Sequence, residues 1–426
     1  MISFSSLTRW CGVLCASSLV TSLLITSCSD SSSSPTTSNP SPSPTFTATP
    51  NPDTGIVAQA ETPNIIDADG SGLGRVGDAD DPAIYIHPGD PSLSFFLATF
   101  KEGGMAVYDL AGNELQFIDP DYGAPNSGRF NNVDLRYNFP LGGENVDIAV
   151  ATERNNNTIR IFRIDANARQ IIDITADSVE PNLFPDFLID NEEGASYGLT
   201  MYKSPISGKF FVFVNSNDRG DIAQLELFDN GDGTIGATRV RTLNLPTQCE
   251  GMVTDDELGF LYVGEEDFGL WKFLAEPEAG TTGSLIDTAG GGNLEADVEG
   301  LSIYYTSAGR GYLLVSSQGD NTYAVYTREG GNSYLGSFEI EASEAIDSVE
   351  ESDGSDVINV PLGSEFPFGA FVAHDGGNEP EFLVDDDGEL ENANSNFKIV
   401  KWEDIANSFS PPLEIDPSSY DPRQEF

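Results

Sequence analysis

The sequence predicts an all-β chain closed into a six-bladed propeller, and three observations carry that expectation. A short apolar strand, a polar turn and a second strand ending in a bulky residue recur six times, over residues 95–108, 146–162, 210–228, 260–271, 312–326 and 368–402. The closing residues stand far enough apart for a propeller blade with variable outer strands and are unlike the period of a helical solenoid. Six such hairpins stacked in a line would leave two open edges, whereas radial closure leaves none.

The inner runs are strands on composition. Phe210-Phe211-Val212-Phe213-Val214 and Leu313-Leu314-Val315 are too short and too rich in aromatic or β-branched residues for helices, and turn residues flank them. Thr158-Ile159-Arg160-Ile161-Phe162 alternates polar with apolar, as a strand with one solvated face does. The sixth repeat contains a polar insertion in which Asp385-Asp386-Asp387-Gly388 reads as a solvated loop, and Asp229-Asn230-Gly231-Asp232-Gly233 reads as a hairpin turn.

The chain divides into an export signal over 1–28, a Ser/Pro/Thr-rich tether over 29–55 and a single large domain over 56–426. The signal has Arg9, an apolar stretch over 12–25 and then Ile25-Thr26-Ser27-Cys28, a pattern similar to the lipobox of bacterial lipoproteins, with Cys28 as the acylated residue; ordinary signal cleavage is the alternative. The expected product is an exported monomer, lipid-anchored at a bacterial membrane or cell surface and otherwise free of membrane. The tether is too polar to bury anything and too rich in proline to collapse. With Cys11, Cys15 and Cys28 removed or modified, Cys249 remains alone and no internal disulfide can form.

The 69 acidic and 20 basic residues give a formal charge of −49, which excludes nucleic acid and anionic lipid as partners. Salt tolerance accounts for acids on a solvated surface. It does not account for acids placed in turns beside glycine and asparagine, as in Asp78-Ala79-Asp80-Asp81, Asn131-Asn132-Val133-Asp134, Cys249-Glu250-Gly251, Glu265-Glu266-Asp267 and Asp297-Val298-Glu299-Gly300. Hard divalent cations take six to eight oxygen ligands and such loops supply them, so calcium is the expected ion. Neither histidine begins an Arg-His-Gly motif and Cys249 lacks a following arginine, so no covalent phosphoenzyme route is visible. His87, before Pro88-Gly89, reads as structural.

From about Val57 to Trp402 the chain resembles the β-propeller phytases, calcium-dependent enzymes that remove phosphate from myo-inositol hexakisphosphate (phytate). The likeness is carried by DADDPAIY, NNVDLRYNFPL, QCEGMVTDDELGFLYVGEEDFGLWKF, ADVEGLSIYY, GYLLVSSQGDNTYAVY, FPFGAFVAHDG and NFKIVKWEDIA, in that order. The resemblance implies that Asp81, Glu250, Glu266, Asp297 and Glu299 line a rim where calcium meets phosphate, with Tyr197 beside them and Lys101 and Arg154 as cationic partners. It further implies structural or bridging calcium ligands at Glu61, Asn131, Asp347, Asp353, Asp375 and the carbonyl of Val133, and a substrate contact at Gln318. Calcium would turn the acidic rim into a phosphate receptor, with Glu250 orienting or deprotonating the attacking water.

The chain departs from the family where Asn217-Asp218-Arg219 replaces a lysine, leaving Arg219 as the substitute, and where Glu102 replaces a second basic residue beside Lys101. The turn at Arg154-Asn155 is also shorter. These changes weaken the cationic side of the site and leave the acidic set intact. A calcium-stabilised propeller that binds a ligand or protein without catalysis, and a calcium-dependent lactonase, are the alternatives on the same fold.

Overall fold

The computed structural model describes residues 49–50, 55–67, 75–119, 128–185, 195–386 and 389–423. The expected signal, Cys28 and nearly all of the tether lie outside the described residues. Five four-stranded antiparallel sheets and one larger sheet form the six blades. Each repeat seen in the sequence is the second and third strand of a blade: Phe95–Phe100 with Gly104–Asp109, Glu144–Glu153 with Thr158–Asp165, Phe210–Ser216 with Gly220–Asp229, Phe260–Glu265 with Gly269–Leu274, Gly311–Ser317 with Thr322–Thr327, and Ala370–Asp375 with Asn394–Lys401.

The first strand of each blade precedes its repeat: Ala79–Tyr85, Phe130–Leu141, Ser196–Lys203, Cys249–Asp255, Val298–Tyr305 and Ser355–Ile358. The two chain ends meet in the sixth blade, where Ala60–Glu61 and Ile65–Ile66 pair with Asn394–Lys401. That pairing closes the ring with backbone hydrogen bonds from residues more than three hundred positions apart, so no inner strand is left with an open edge. The apolar faces pack between neighbouring blades, as where Phe371 and Val400 of the sixth meet Tyr323 and Phe338 of the fifth.

One expectation changes. Asp385 and Asp386 end one arm of a two-stranded hairpin, Leu383–Asp386 with Glu389–Asn392, while residues 387–388 are not described. Asp229–Gly233 is the hairpin turn expected, with Asp229 accepting from the Gly231 amide at 2.8 Å. His87 caps its own turn through Nδ1, which accepts from the amides of Gly89 and Asp90. Cys249 is buried as a free thiol. No helix among the described residues is long and apolar enough to cross a membrane.

Candidate active site and metal centre

One local irregularity, repeated around the ring, builds the site. At the start of its first strand, each of five blades has two residues where the facing strand has one. The interruptions lie between Ala79 and Pro82, Phe130 and Val133, Ser196 and Leu199, Cys249 and Met252, and Val298 and Leu301. Such a bulge leaves its extra residue unpaired and re-aims the side chain. The first bulged residues are Asp80, Asn131, Tyr197, Glu250 and Glu299, and Asp353 stands at the corresponding place before Ser355↔Ala373 in the sixth blade. Each blade therefore presents one polar side chain to a common mouth.

The second position is glycine in four blades because the next blade passes directly against it. A Cβ on Gly198 would lie 2.0 Å from the carbonyl oxygen of Glu250, and one on Gly251 the same distance from that of Glu299. Neighbouring blades are stitched at the same level. The Gly300 amide donates to the Asp353 carbonyl at 2.9 Å, the Gly354 amide to that of Asp80 at 3.1 Å, the Thr152 hydroxyl to that of Tyr197 at 2.5 Å and the Asn215 amide to that of Glu250 at 2.9 Å.

Glu250, Glu266 and Glu299 come together at this mouth, all buried, each offering a carboxylate oxygen within 4.8 Å of the others. Glu266 arrives from the turn between the second and third strands of the fourth blade, as do Lys101, Arg154, Arg219 and Gln318 from equivalent turns. Asp80 belongs to the same group. It is fully buried, and its electrostatic neighbours are Glu250, Lys101 and Asp353. Both Asp80 carboxylate oxygens lack a hydrogen-bond partner, as do one of Glu266 and one of Glu299. Buried carboxylates without partners are costly, and orphaned oxygens converging from three chain segments beside Glu250 suit a hard divalent cation. The residues present therefore fit the metal that the chemistry calls for.

The register corrects one assignment. Asp81, expected in the rim, is the second bulged residue. Its Oδ2 accepts from the Val133 amide at 3.0 Å, and with Val133, Asp134 and Asp356 it lines a cavity of about 120 Å³ in the central channel. Asp80 holds the rim position equivalent to Glu250. The sequence carried the signal in the tandem Asp80-Asp81, but local pattern alone gives no means of choosing between them.

The cations sit beside the acids. Lys101 Nζ lies 2.6 Å from Asp353 Oδ2, and Gln318 Nε2 donates to Asp353 Oδ1 at 2.5 Å. Burial opposes the charge on Lys101, yet Asp353, Asp80 and Asp78 hold its pKa well above the ordinary value. Burial likewise works to raise Asp353, but Lys101 and His374 keep it below the usual carboxylate range. His374, whose Nδ1 accepts from the Asp353 amide at 3.0 Å, is a support that sequence reasoning did not identify. Arg154 donates through Nη1 to Asn131 Oδ1 at 2.9 Å, and its guanidinium lies 4.9 Å from the centre of the Tyr197 ring. Asn131 in turn donates to Glu250 Oε1 at 2.6 Å, so its amide is a bridge from Arg154 to the acidic cluster.

Burial raises the carboxyls of Asp80, Glu250 and Glu299 above their ordinary values, with like-charged neighbours reinforcing the effect on Asp80 and Glu299 and Lys101 opposing it on Glu250. Glu266 is pushed up to about 8 by burial and by Glu250, against a hydrogen bond from Gln248. Gln248, also missed in the sequence, donates to Glu266 Oε2 and accepts from the Asp218 amide, both at 2.8 Å, which ties the Arg219 turn to the cluster. Tyr197 is buried and hydrogen-bonded to Glu250. Asp297 is only partly buried, and as a like-charged neighbour it contributes to the raised pKa of Glu266.

Three expected structural calcium ligands meet protein partners from the sixth blade, Asp375 and Glu61 on its strands and Asp347 on the segment leading into it. The buried ammonium of Lys398 pairs with Asp375 and sits 2.7 Å from Asp347 Oδ1, and Glu61 Oε2 accepts from Asn396 Nδ2 at 3.1 Å. Lys398 occupies this acidic pocket as an internal cation, a role that NFKIVKW did not announce.

The family model described as phytase matches residues 18–425. A 3-phytase of Bacillus subtilis (strain 168) is 43% identical over 330 residues, covering 77% of this chain and 80% of that protein. Among solved structures, the β-propeller domain of Myceliophteria thermophila Cps50 (Swd1) aligns with a TM-score of 0.39 and 10% identity over 76% of this chain and 84% of that one; the architecture here rests on the six sheets themselves. The acidic mouth, its flanking cations and a match over nearly the whole chain agree, and the chain belongs to the phytase family.

Proposed function

We propose that this phytase hydrolyses phytate to lower inositol phosphates and inorganic phosphate by direct attack of water, with several calcium ions held at the mouth. Family membership sets aside the lactonase and the non-catalytic binding module, which the fold alone left open. The observation that carries the metal reading is the buried meeting of Glu250, Glu266 and Glu299 with Asp80, whose orphaned oxygens have only like charges and Lys101 to face.

Glu250, Glu266, Glu299 and Asp80 would hold the ions, with Asp297 and Asp353 at the margin. Bound there, calcium supplies positive charge for the phosphoryl oxygens and lowers the pKa of a coordinated water. The side chains do the rest. Lys101 and Arg154 offset charge on the phosphoryl group as it is transferred, Arg154 through a planar fork held in place by Asn131 and Tyr197. Glu250, fixed by Asn131 and Tyr197, is placed to orient the attacking water and take its proton. Gln318 and Arg219 extend the polar lining toward the remaining phosphates. Export and lipid attachment through Cys28 complete the reading and place the domain outside the cytoplasm.

The test is phosphate release from phytate by purified protein after exhaustive chelation, followed by readdition of calcium or magnesium. Loss on chelation and recovery with calcium support the proposal; activity that survives chelation overturns it.

A further inference from the structure

Glu102 and Arg129 form an ion pair at the edge of the mouth that the catalytic scheme leaves unused. The turn at residues 101–103 sends its two charged side chains in different directions. Lys101 reaches inward to Asp353, while Glu102, with 41% of its side chain exposed, meets the Arg129 guanidinium. Arg129 is fixed to the same turn through Nε, which donates to the Lys101 carbonyl at 2.8 Å, and its own carbonyl accepts from the Arg154 amide at 2.9 Å. Lys101, Arg129 and Arg154 thus form an arc of three cations over the first two blades; Lys101 holds the carboxylate of Asp353 within the mouth, and Arg129 holds that of Glu102 at its edge.

We propose that Glu102 is a specificity-determining residue that biases this enzyme against the most highly phosphorylated substrates by occupying Arg129 and adding negative charge to the mouth. The inference rests on the reading of the mouth as a phytate site. A substrate with one phosphate needs only the acidic cluster with Lys101 and Arg154. A hexakisphosphate carries five more anionic groups around its ring, and those lying over the first and second blades meet a carboxylate where they would otherwise meet a guanidinium fork. The carboxylate repels them and competes for the same donors. Its effect therefore grows with the number of substrate phosphates and is screened by salt.

The experiment compares kcat/KM for phytate and for p-nitrophenyl phosphate, both with calcium, in the parent protein, Glu102→Gln and Glu102→Lys. Glu102 lies on an exposed turn, so both variants fold. The ratio of phytate to monoester kcat/KM is expected to rise about fivefold in Glu102→Gln, the upper range for one exposed charge pair, and further in Glu102→Lys. The gain is expected to shrink at about 1 M salt, where the screening length is about 3 Å. A ratio within about twofold of the parent in both variants overturns the inference, as does a gain undiminished by salt. A parent protein that releases phosphate from neither substrate removes the underlying reading of the site, and the inference with it.

Discussion

The Cβ that Gly251 lacks would lie 2.0 Å from the carbonyl oxygen of Glu299. These two residues sit at successive bulges of neighbouring blades, so the closeness of Glu250 to Glu299 depends on a position where any side chain would collide with backbone. A Gly251→Ala substitution must push the fourth and fifth blades apart at the mouth. Overpacking of this kind costs about 1 to 3 kcal/mol. The expected result in chemical denaturation is a loss of that order, accompanied by weaker calcium binding in a direct titration. Unchanged stability and affinity would show that the blades tolerate a wider spacing.

Glu250→Gln keeps the shape of the side chain and an oxygen for Asn131 to bond, but removes the charge and the capacity to accept a proton. A positioned general base contributes about a hundredfold to ten-thousandfold, and kcat on phytate should fall within that range. In chelator the variant should be at least as stable as the parent, because one of several crowded like charges is gone. The paired measurement is turnover with calcium and thermal unfolding without it.

The raised carboxyls predict a pH dependence with a definite sign. Burial places Glu266 at about 8 in the folded, metal-free protein against an ordinary 4.5. Between those values the folded state holds a proton that the unfolded chain releases, so stability declines as pH rises through this window. The contribution is whole below the ordinary value and gone above about 8. Glu299 and Asp80, also raised, act in the same direction. Calcium competes with those protons, so its affinity should rise over the same interval and flatten the decline. Denaturant unfolding from pH 5 to pH 9, with chelator and with calcium, is the measurement; metal-free stability that increases across that interval would contradict it.

Lys398 supplies the charge balance of the sixth blade. Its side chain is fully buried between Asp375 and Asp347 and also donates to the Ser348 carbonyl at 3.0 Å. Removing one partner of a buried pair leaves the other charge uncompensated and costs about 3 to 5 kcal/mol. Lys398→Met should lose stability on that scale, and the double variant Lys398→Met with Asp375→Asn should recover part of it. Equilibrium denaturation of the two variants decides the matter.

The sequence by itself determined the all-β class, the six hairpins and their order, because alternation, strand length and turn residues are local properties written in each repeat. It also put Glu266 and Arg154 in turns, whereas Glu250 and Glu299, read as turn acids, lie at the bulged starts of strands. Tertiary structure alone decided which of two adjacent acids faces the mouth, since one inserted residue per first strand sets the direction of Asp80 and Asp81 and its register depends on a partner strand. It likewise decided that Asn131 bridges Arg154 to Glu250, that Lys398 fills a pocket of acids, and that Glu102 holds Arg129. Each of these is a contact between residues 20 or more positions apart, and the charge each side chain meets is fixed only when the ring closes.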